Sequence, residues 1–186
     1  MDSIRRRIVL VAAAILVLGL GVGIGHAANA SKISTGARAA LEKLYASTPS
    51  AKILGEKAKA ILVFPSILKA GFIFGAQGGD GAMFKGGKTV GYYRTLAASY
   101  GFQAGIQEFG YALFFMTDSG LDYLAKSAGW EIGTGPSLVI VDEGFAKSMS
   151  STTLTQDVYA YIFDQKGLMA GIGIQGSKIT RIHPGK

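Results

Sequence analysis

The chain contains no cysteine. That single absence excludes disulfide staples, thiolate nucleophiles, cysteine-ligated zinc and a lipoprotein anchor through an N-terminal Cys. Its fold must therefore rest on an apolar core. Histidine is almost missing as well: His26 lies in the N-terminal apolar region, and His183 lies three residues from the C-terminus, where chains are usually poorly held. With so few imidazoles, a Ser-His or His-metal site has little to draw on. Proline occurs four times and never in a cluster, so no Pro-rich linker divides the chain. The single tryptophan, Trp130, reads either as an interface marker or, more simply, as a ring buried under a helix.

What is present begins with "MDSIRRRIVLVAAAILVLGLGVGIGHAANA". Three arginines, a short apolar run and the exit Ala28-Asn29-Ala30 describe a secretory signal peptide over 1–30. A retained anchor is the competing reading, because Ile8 to Ile24 nearly reaches bilayer length. Cleavage after Ala30 leaves 156 residues, Ser31 to Lys186, enough for one domain with a substantial core. Asp2 and three arginines leave with the leader, so the net charge drops from +7 to +5, with 16 basic residues against 11 acidic. The excess is spread out. It suits an anionic surface better than a duplex-binding stripe, and no nucleic-acid partner is expected.

From Ser34 to Ser47, Ala37, Ala40, Leu41, Leu44 and Tyr45 fall at helical spacing. The pattern restarts in "TPSAKILGEKAKA", where Thr48 can cap and Pro49 fits a first helical position. "AILVFP" reads as a buried strand ended by Pro65. Next comes "GFIFGAQGGDGAMFKGG", seven of whose seventeen residues are glycine. Its rhythm is period two, not the spacing of a phosphate loop. Asp80-Gly81 and Gly86-Gly87 read as hairpin turns. The alternation is longest from Thr95 to Gln107: Leu96, Ala98, Tyr100, Phe102, Ala104 and Ile106 on one face, small or amide residues on the other. Glu108 then falls on the apolar face, which predicts a bend or bulge. The segments "GFIFGAQ", "GFQAGIQ" and "GLMAGIG" repeat one pattern, in which glycine lets neighbouring backbones approach and the sheet coil.

One internal helix, "DSGLDYLAKSAG", is predicted, capped by Asp118, paired through Asp122 and Lys126, and stopped by Gly129. "SLVIVDEG" and "DVYAYIFDQKG" add strands. The fold class is α+β: a curved, Gly-rich, mostly antiparallel, barrel-like sheet with short N-terminal helices and one internal helix, all in one domain.

Catalytic constellations are thin. Gly135-Pro136-Ser137 is not a nucleophile elbow. Asp142 and Glu143 are adjacent on a strand end, where neighbours point apart, so capping or solvation explains them more simply. The acids match no calcium loop. The expectation is a protein that is not an enzyme and holds no cofactor and no metal. Basic residues are denser near the front: Arg38, Lys43, Lys52, Lys57, Lys59 and Lys69, interleaved with Leu41, Leu44, Ile53 and Leu54. By composition alone such a segment can lie on an anionic membrane, but a solvated helix face is the favoured reading, because the apolar stripe is alanine-rich.

The strings "AKAILVFPSILKAGFIFGAQGGDGAMF", "TVGYYRTLAASYGFQAGIQEFGYALFFMTDSGLDYL", "GWEIGTGPSLVIVDEGFAKSM" and "TQDVYAYIFDQKGLMAGIGIQGSKITRI" resemble the SYLF domain family from about Ala39 to Ile182. That family has bacterial secreted members and eukaryotic members carrying SH3 or FYVE modules. The resemblance implies lipid binding; eukaryotic relatives bind phosphoinositides and some bundle actin. It also implicates the basic N-terminal segment, here Ser34 to Lys59, in membrane contact. Lys52, Lys57, Lys59 and Lys69, with Ile53 and Leu54, become the candidate lipid contacts. The leader sequence implies an envelope setting, periplasmic or outer-membrane-associated, in which an anionic phospholipid is the expected partner. An envelope protein bound through a sheet edge is the alternative.

Overall fold

The apolar run that opens at Ala60 does not stop at Pro65. In the computed structural model, which describes residues 29–71, 74–100, 105–126, 128–141, 154–167, 174 and 176–185, it continues as β1 (Ala60–Gly71). β1 is a central strand, flanked by β2 (Phe74–Lys85) and β4 (Gly105–Phe115). Proline is tolerated there because the ladder is already interrupted. Register slips between Val63 and Leu68 against β2, and between Phe64 and Ile67 against β4. At such a bulge a missing N–H costs no ladder bond.

The remaining strands are β3 (Lys88–Tyr100), β5 (Trp130–Glu131), β6 (Leu138–Ile140), β7 (Val158–Gly167) and β8 (Lys178–Ile182). They form one eight-stranded sheet in the order β5-β8-β3-β2-β1-β4-β7-β6. Among the described residues only β6 and β7 pair in parallel; the sheet is otherwise antiparallel and curls into a half-barrel. The α+β class and the barrel-like curvature read from the sequence hold.

Strand boundaries differ from expectation where glycines recur. The long alternation from Thr95 to Gln107 is two strands, because β3 ends at Tyr100 and β4 starts at Gly105. These two are not neighbours: β2 and β1 lie between them in the sheet. Gly71 to Gln77 is likewise no single strand: Gly71 closes β1 and pairs with Gly75 of β2. A Cβ on Gly71 would lie 2.5 Å from the Gly75 Cα, so the tip accepts only glycine there. Of the third repeat, 167–173, only Gly167 is within the described residues. It ends β7 and pairs with Gln107. Asp80-Gly81 is no turn but lies inside β2, opposite Arg94 and Tyr93. Gly86-Gly87 does turn the chain, with φ of 56° and 74°. The bulge expected at Glu108 is present as a register slip before Gly110.

Three helices complete the described fold. α1 (Ala30–Ser47) starts four residues before the expected Ser34, because the Asn29 side chain caps it by accepting from the Lys32 N–H at 2.9 Å. The rest of the expected signal segment, 1–28, lies outside the described residues. α2 (Pro49–Lys57) has Pro49 at its first position, but Thr48 makes no side-chain cap bond. α3 (Asp118–Lys126) is capped by Thr117, one residue before the expected Asp118; its Oγ1 accepts from the Gly120 N–H at 3.2 Å. The Asp122–Lys126 pair forms at 3.2 Å.

Two packed layers result. The outer sheet face around Ile61, Val63, Ala82, Ala112 and Phe114 is covered by Ile33, Ala37 and Leu44 of α1 and by Ala51 and Leu54 of α2. The inner face collects Leu62, Phe64, Phe109, Leu113, Phe115 and Trp130. Trp130 is buried as a core ring, edge-on to Phe115, with its indole N–H donating to the Thr134 carbonyl at 2.8 Å. Burying these large side chains supplies the main stabilisation, on the order of 1.5–3 kcal/mol each.

Candidate functional site

The six residues singled out from the sequence do not form one surface. Lys52, Ile53 and Lys57 are exposed on the outward side of α2, with Glu56 between them. Lys59 is exposed but ion-paired to Asp118. Leu54 is fully buried beneath α2, so it belongs to the core and offers nothing to a membrane. Lys69 is also buried, at 6% exposure, on the inner side of the half-barrel. Its neighbours across the ladder are Gln77 and Gln107. The reason is the continuation of β1 past Pro65: Lys69 is two residues after Ile67 and shares its inward face.

Lys69 is one part of a general inversion. In the half of the sheet beyond the bulge, the inner face carries Lys69, Thr95 and Gln107, all nearly inaccessible, together with the buried Ser177. The Gln77 amide donates to the Ser177 hydroxyl at 3.1 Å. Tyr111 lies deeper on the same face, and burial pushes its phenol well above the ordinary range, with Thr95 opposing the shift in part. Opposite Cα partners share a face, so the register defines what lies outside. One row runs Lys166, Glu108, Leu68, Gly78, Leu96, Lys178, Glu131, across seven strands. The next runs Ile106, Ala70, Ala76, Ala98. Phe74 follows Ala76 on the same side of β2.

The large residues in these rows are open to water: Leu68 at 55%, Leu96 at 56%, Ile106 at 66% and Phe74 at 75% exposure. The apolar alternation of Leu96, Ala98 and Ile106 is thus an exposed outer face. Its amide partner face is the buried one. The small residues keep this surface level, and Leu96 lies over Gly78, where a Cβ would come within 2.7 Å of it. The acids here are engaged by the protein itself. Arg94 grips both Asp80 oxygens at 2.6 and 2.9 Å, and Ser66 donates to Glu108 at 2.7 Å. The flanking Lys166 and Lys178 are exposed and join none of the ion pairs among the described residues.

A second feature is a groove of about 430 Å³ between α1, the end of α2 and the β2–β3 turn. Arg38, Glu42, Tyr45, Glu56, Lys59 and Phe84 line it. The Arg38 guanidinium stacks 4.9 Å from the Phe84 ring and donates to the Gly87 carbonyl at 3.0 Å. Burial, helped by Glu56, raises the Tyr45 phenol to about 12. With two acids against two bases, Arg38 held by Phe84 and Gly87 and Lys59 paired with Asp118, the groove has no net attraction for an anion.

Asp157 gathers the remaining polar cluster. It accepts from Thr117 at 2.6 Å, Ser119 at 3.1 Å, and the Ser137 hydroxyl and N–H at 2.9 and 3.0 Å. The Thr117 bond first, then the Ser137 N–H, hold its carboxyl below the usual range. These bonds tie the start of α3, the segment before β6 and the start of β7 together. A hydroxyl that donates to a carboxylate without an intervening base is not an activated nucleophile. The expected Asp142 and Glu143 lie outside the described residues, and His183 is exposed. Among the described residues, no three of His, Asp and Glu group as metal ligands, and no helix is long and apolar enough to cross a membrane.

Residues 96–183 match the family model Ysc84, described as Las17-binding protein actin regulator. The match takes in β3 from Leu96 onward and everything to the end of β8. No curated protein matches the chain.

Proposed function

We propose, from the match of residues 96–183 to the Ysc84, or SYLF, family model, that the chain is a non-catalytic, peripheral lipid-binding protein that contacts anionic phospholipid. The inside-out half of the sheet carries this reading. Polar residues face in and apolar residues face out, the arrangement of strands that meet hydrocarbon. A water-facing sheet has no physical reason to bury Lys69, Thr95 and Gln107 while exposing Leu68, Leu96, Ile106 and Phe74. The N-terminal basic, apolar and Ala-x-Ala succession supports an envelope location as part of the same proposal.

Binding through a sheet edge receives less support, since the described sheet ends in a two-residue strand, β5, and a three-residue strand, β6. Short edges are poor templates for an added strand. The test is co-sedimentation of the protein, and of a Leu68→Ser/Ile106→Ser variant, with vesicles of neutral and of anionic composition at low and moderate salt. The expected result is pelleting with anionic vesicles that weakens as salt rises, and a large loss in the variant. If wild type and variant partition equally, lipid contact by this face is wrong.

A further inference from the structure

The expected exit of the leader, Ala28-Asn29-Ala30, overlaps the folded domain, since Asn29 caps α1 and Ala30 is its first residue. The Asn29 side chain accepts from the Lys32 N–H at 2.9 Å, and the Asn29 main-chain carbonyl accepts from the Ile33 N–H at 3.2 Å. The Ala30 N–H donates to the Gly185 carbonyl at 3.1 Å, which joins the two ends of the described chain. The Ala30 carbonyl in turn accepts from the Ser34 hydroxyl at 2.9 Å. This first turn is seated in the core through Ile33, which is buried against the outer sheet face. A cut after Ala30 removes all four bonds. It also sets the new α-ammonium of Ser31 at the positive end of the helix dipole, where a cation is disfavoured.

The sequence holds a second exit three residues upstream. Gly25-His26-Ala27 places small residues at the same two positions as Ala28 and Ala30, the spacing a signal peptidase reads after an apolar run. A cut after Ala27 leaves Asn29 and its bonds in the product. The two exits also differ before the domain is complete. Three of the four bonds reach no further than four residues along the chain, so the turn they hold needs no sheet. A helix relaxes in roughly 0.1–1 μs, whereas a chain grows by about 5–20 residues per second. The start of α1 therefore forms while the leader is still at the membrane. Cleavage inside a wound turn must wait for that turn to open. The bond after Ala30 lies inside it; the bond after Ala27 lies ahead of its cap.

Resting on the envelope location proposed above, we infer that a signal peptidase cuts this chain between Ala27 and Ala28, so that the mature protein keeps the Asn29 cap of α1. Water adds across the Ala27–Ala28 amide, leaving a carboxyl group on Ala27 and an amino group on Ala28. The new ammonium then stands two residues ahead of the helix instead of on it.

The full chain with its own leader is produced in a Gram-negative host, and periplasmic, membrane and cytoplasmic fractions are read by intact mass and N-terminal sequencing. The expected product starts at Ala28. A start at Ser31, shorter by Ala28-Asn29-Ala30, overturns the inference while export stands. An uncut chain in the membrane overturns it in favour of the retained anchor. An uncut chain in the cytoplasm overturns both the inference and the envelope location it rests on. Two variants check the choice of bond. Ala30→Glu blocks the downstream exit and puts an acid where the helix dipole accepts one, so cleavage to its normal extent is expected. Ala27→Glu is expected to leave most of the chain uncut or to move the start to Ser31. Loss of cleavage in Ala30→Glu, with none in Ala27→Glu, overturns the inference.

Discussion

At the scale of single residues, Asp157 shows how one carboxylate holds three segments. Asp157→Ala removes a charge-assisted acceptor from Thr117, Ser119 and Ser137. Discounted for its exposure to solvent, the expected loss is about 1 kcal/mol, read from a denaturant midpoint. Its folded-state pKa is depressed, so the contribution is present above the unfolded carboxylate value and is lost as pH falls through the folded one. Asp118, lowered chiefly by the Lys59 bond, acts in the same direction. Stability should therefore decline below about pH 4, and Asp157→Asn should decline less steeply. An identical pH profile for the two proteins would remove Asp157 from that account. Gly81 makes a steric prediction. A Cβ there would lie 2.5 Å from the Val63 carbonyl oxygen and 2.7 Å from the Phe64 ring. Gly81→Ala should cost about 1–3 kcal/mol by overpacking, seen as a lowered Tm.

Among the elements, α2 separates a packing role from a contact role. Leu54→Ala should destabilise by about 2–5 kcal/mol, because the side chain fills the layer between α2 and the outer sheet face. Any loss of vesicle binding in that variant should track its unfolded fraction in circular dichroism; loss with the fold intact would return Leu54 to the binding surface. The sequence made the helices legible, since α1 buries Ala37 and Leu44 of the stripe its spacing announces, although α3 fully buries only Leu124 of its own. It also announced the antiparallel, curved sheet and the slip near Glu108. Misread strand ends came from two physical causes. Pro65 looked like a terminator because a central-strand bulge cannot be foreseen from its residues, and the missed continuation hid the inward turn of Lys69. Period two identifies a strand and its two faces, but not which face is covered. Leu96, Ala98 and Ile106 have the same alternation whether they meet a core or a surface. Thr95 and Gln107, polar residues flanking small ones, carried the only hint.

For the whole molecule, two halves of one sheet obey opposite rules. Where α1 and α2 lie, apolar residues face the helices; past the bulge, the same face is uncovered. Four large exposed apolar side chains are a solubility liability unless something meets them. Leu68→Ser/Ile106→Ser should accordingly raise the concentration at which the protein aggregates while leaving its Tm within about 1 kcal/mol equivalent, since neither side chain packs in the core. Light scattering against concentration checks this, and an unchanged threshold would mean that the face is not the sticky one.

The order of strands in the sheet also bears on how the chain assembles in time. α1 through β3 is a run of near neighbours: helix on helix, then strand beside the next strand. Everything later closes over distance. β4 must come back to β1, setting Phe115 opposite Ala60, and β8 must come back to β3, setting Ile182 opposite Tyr92. Since distant pairing pays loop-closure entropy before it is rewarded, the early hairpins form first as an open, two-sided ribbon. Pairing of β4 with β1 then locks the bulge of β1 from its second side. Pro65 thus sits where the early and late parts of the fold meet.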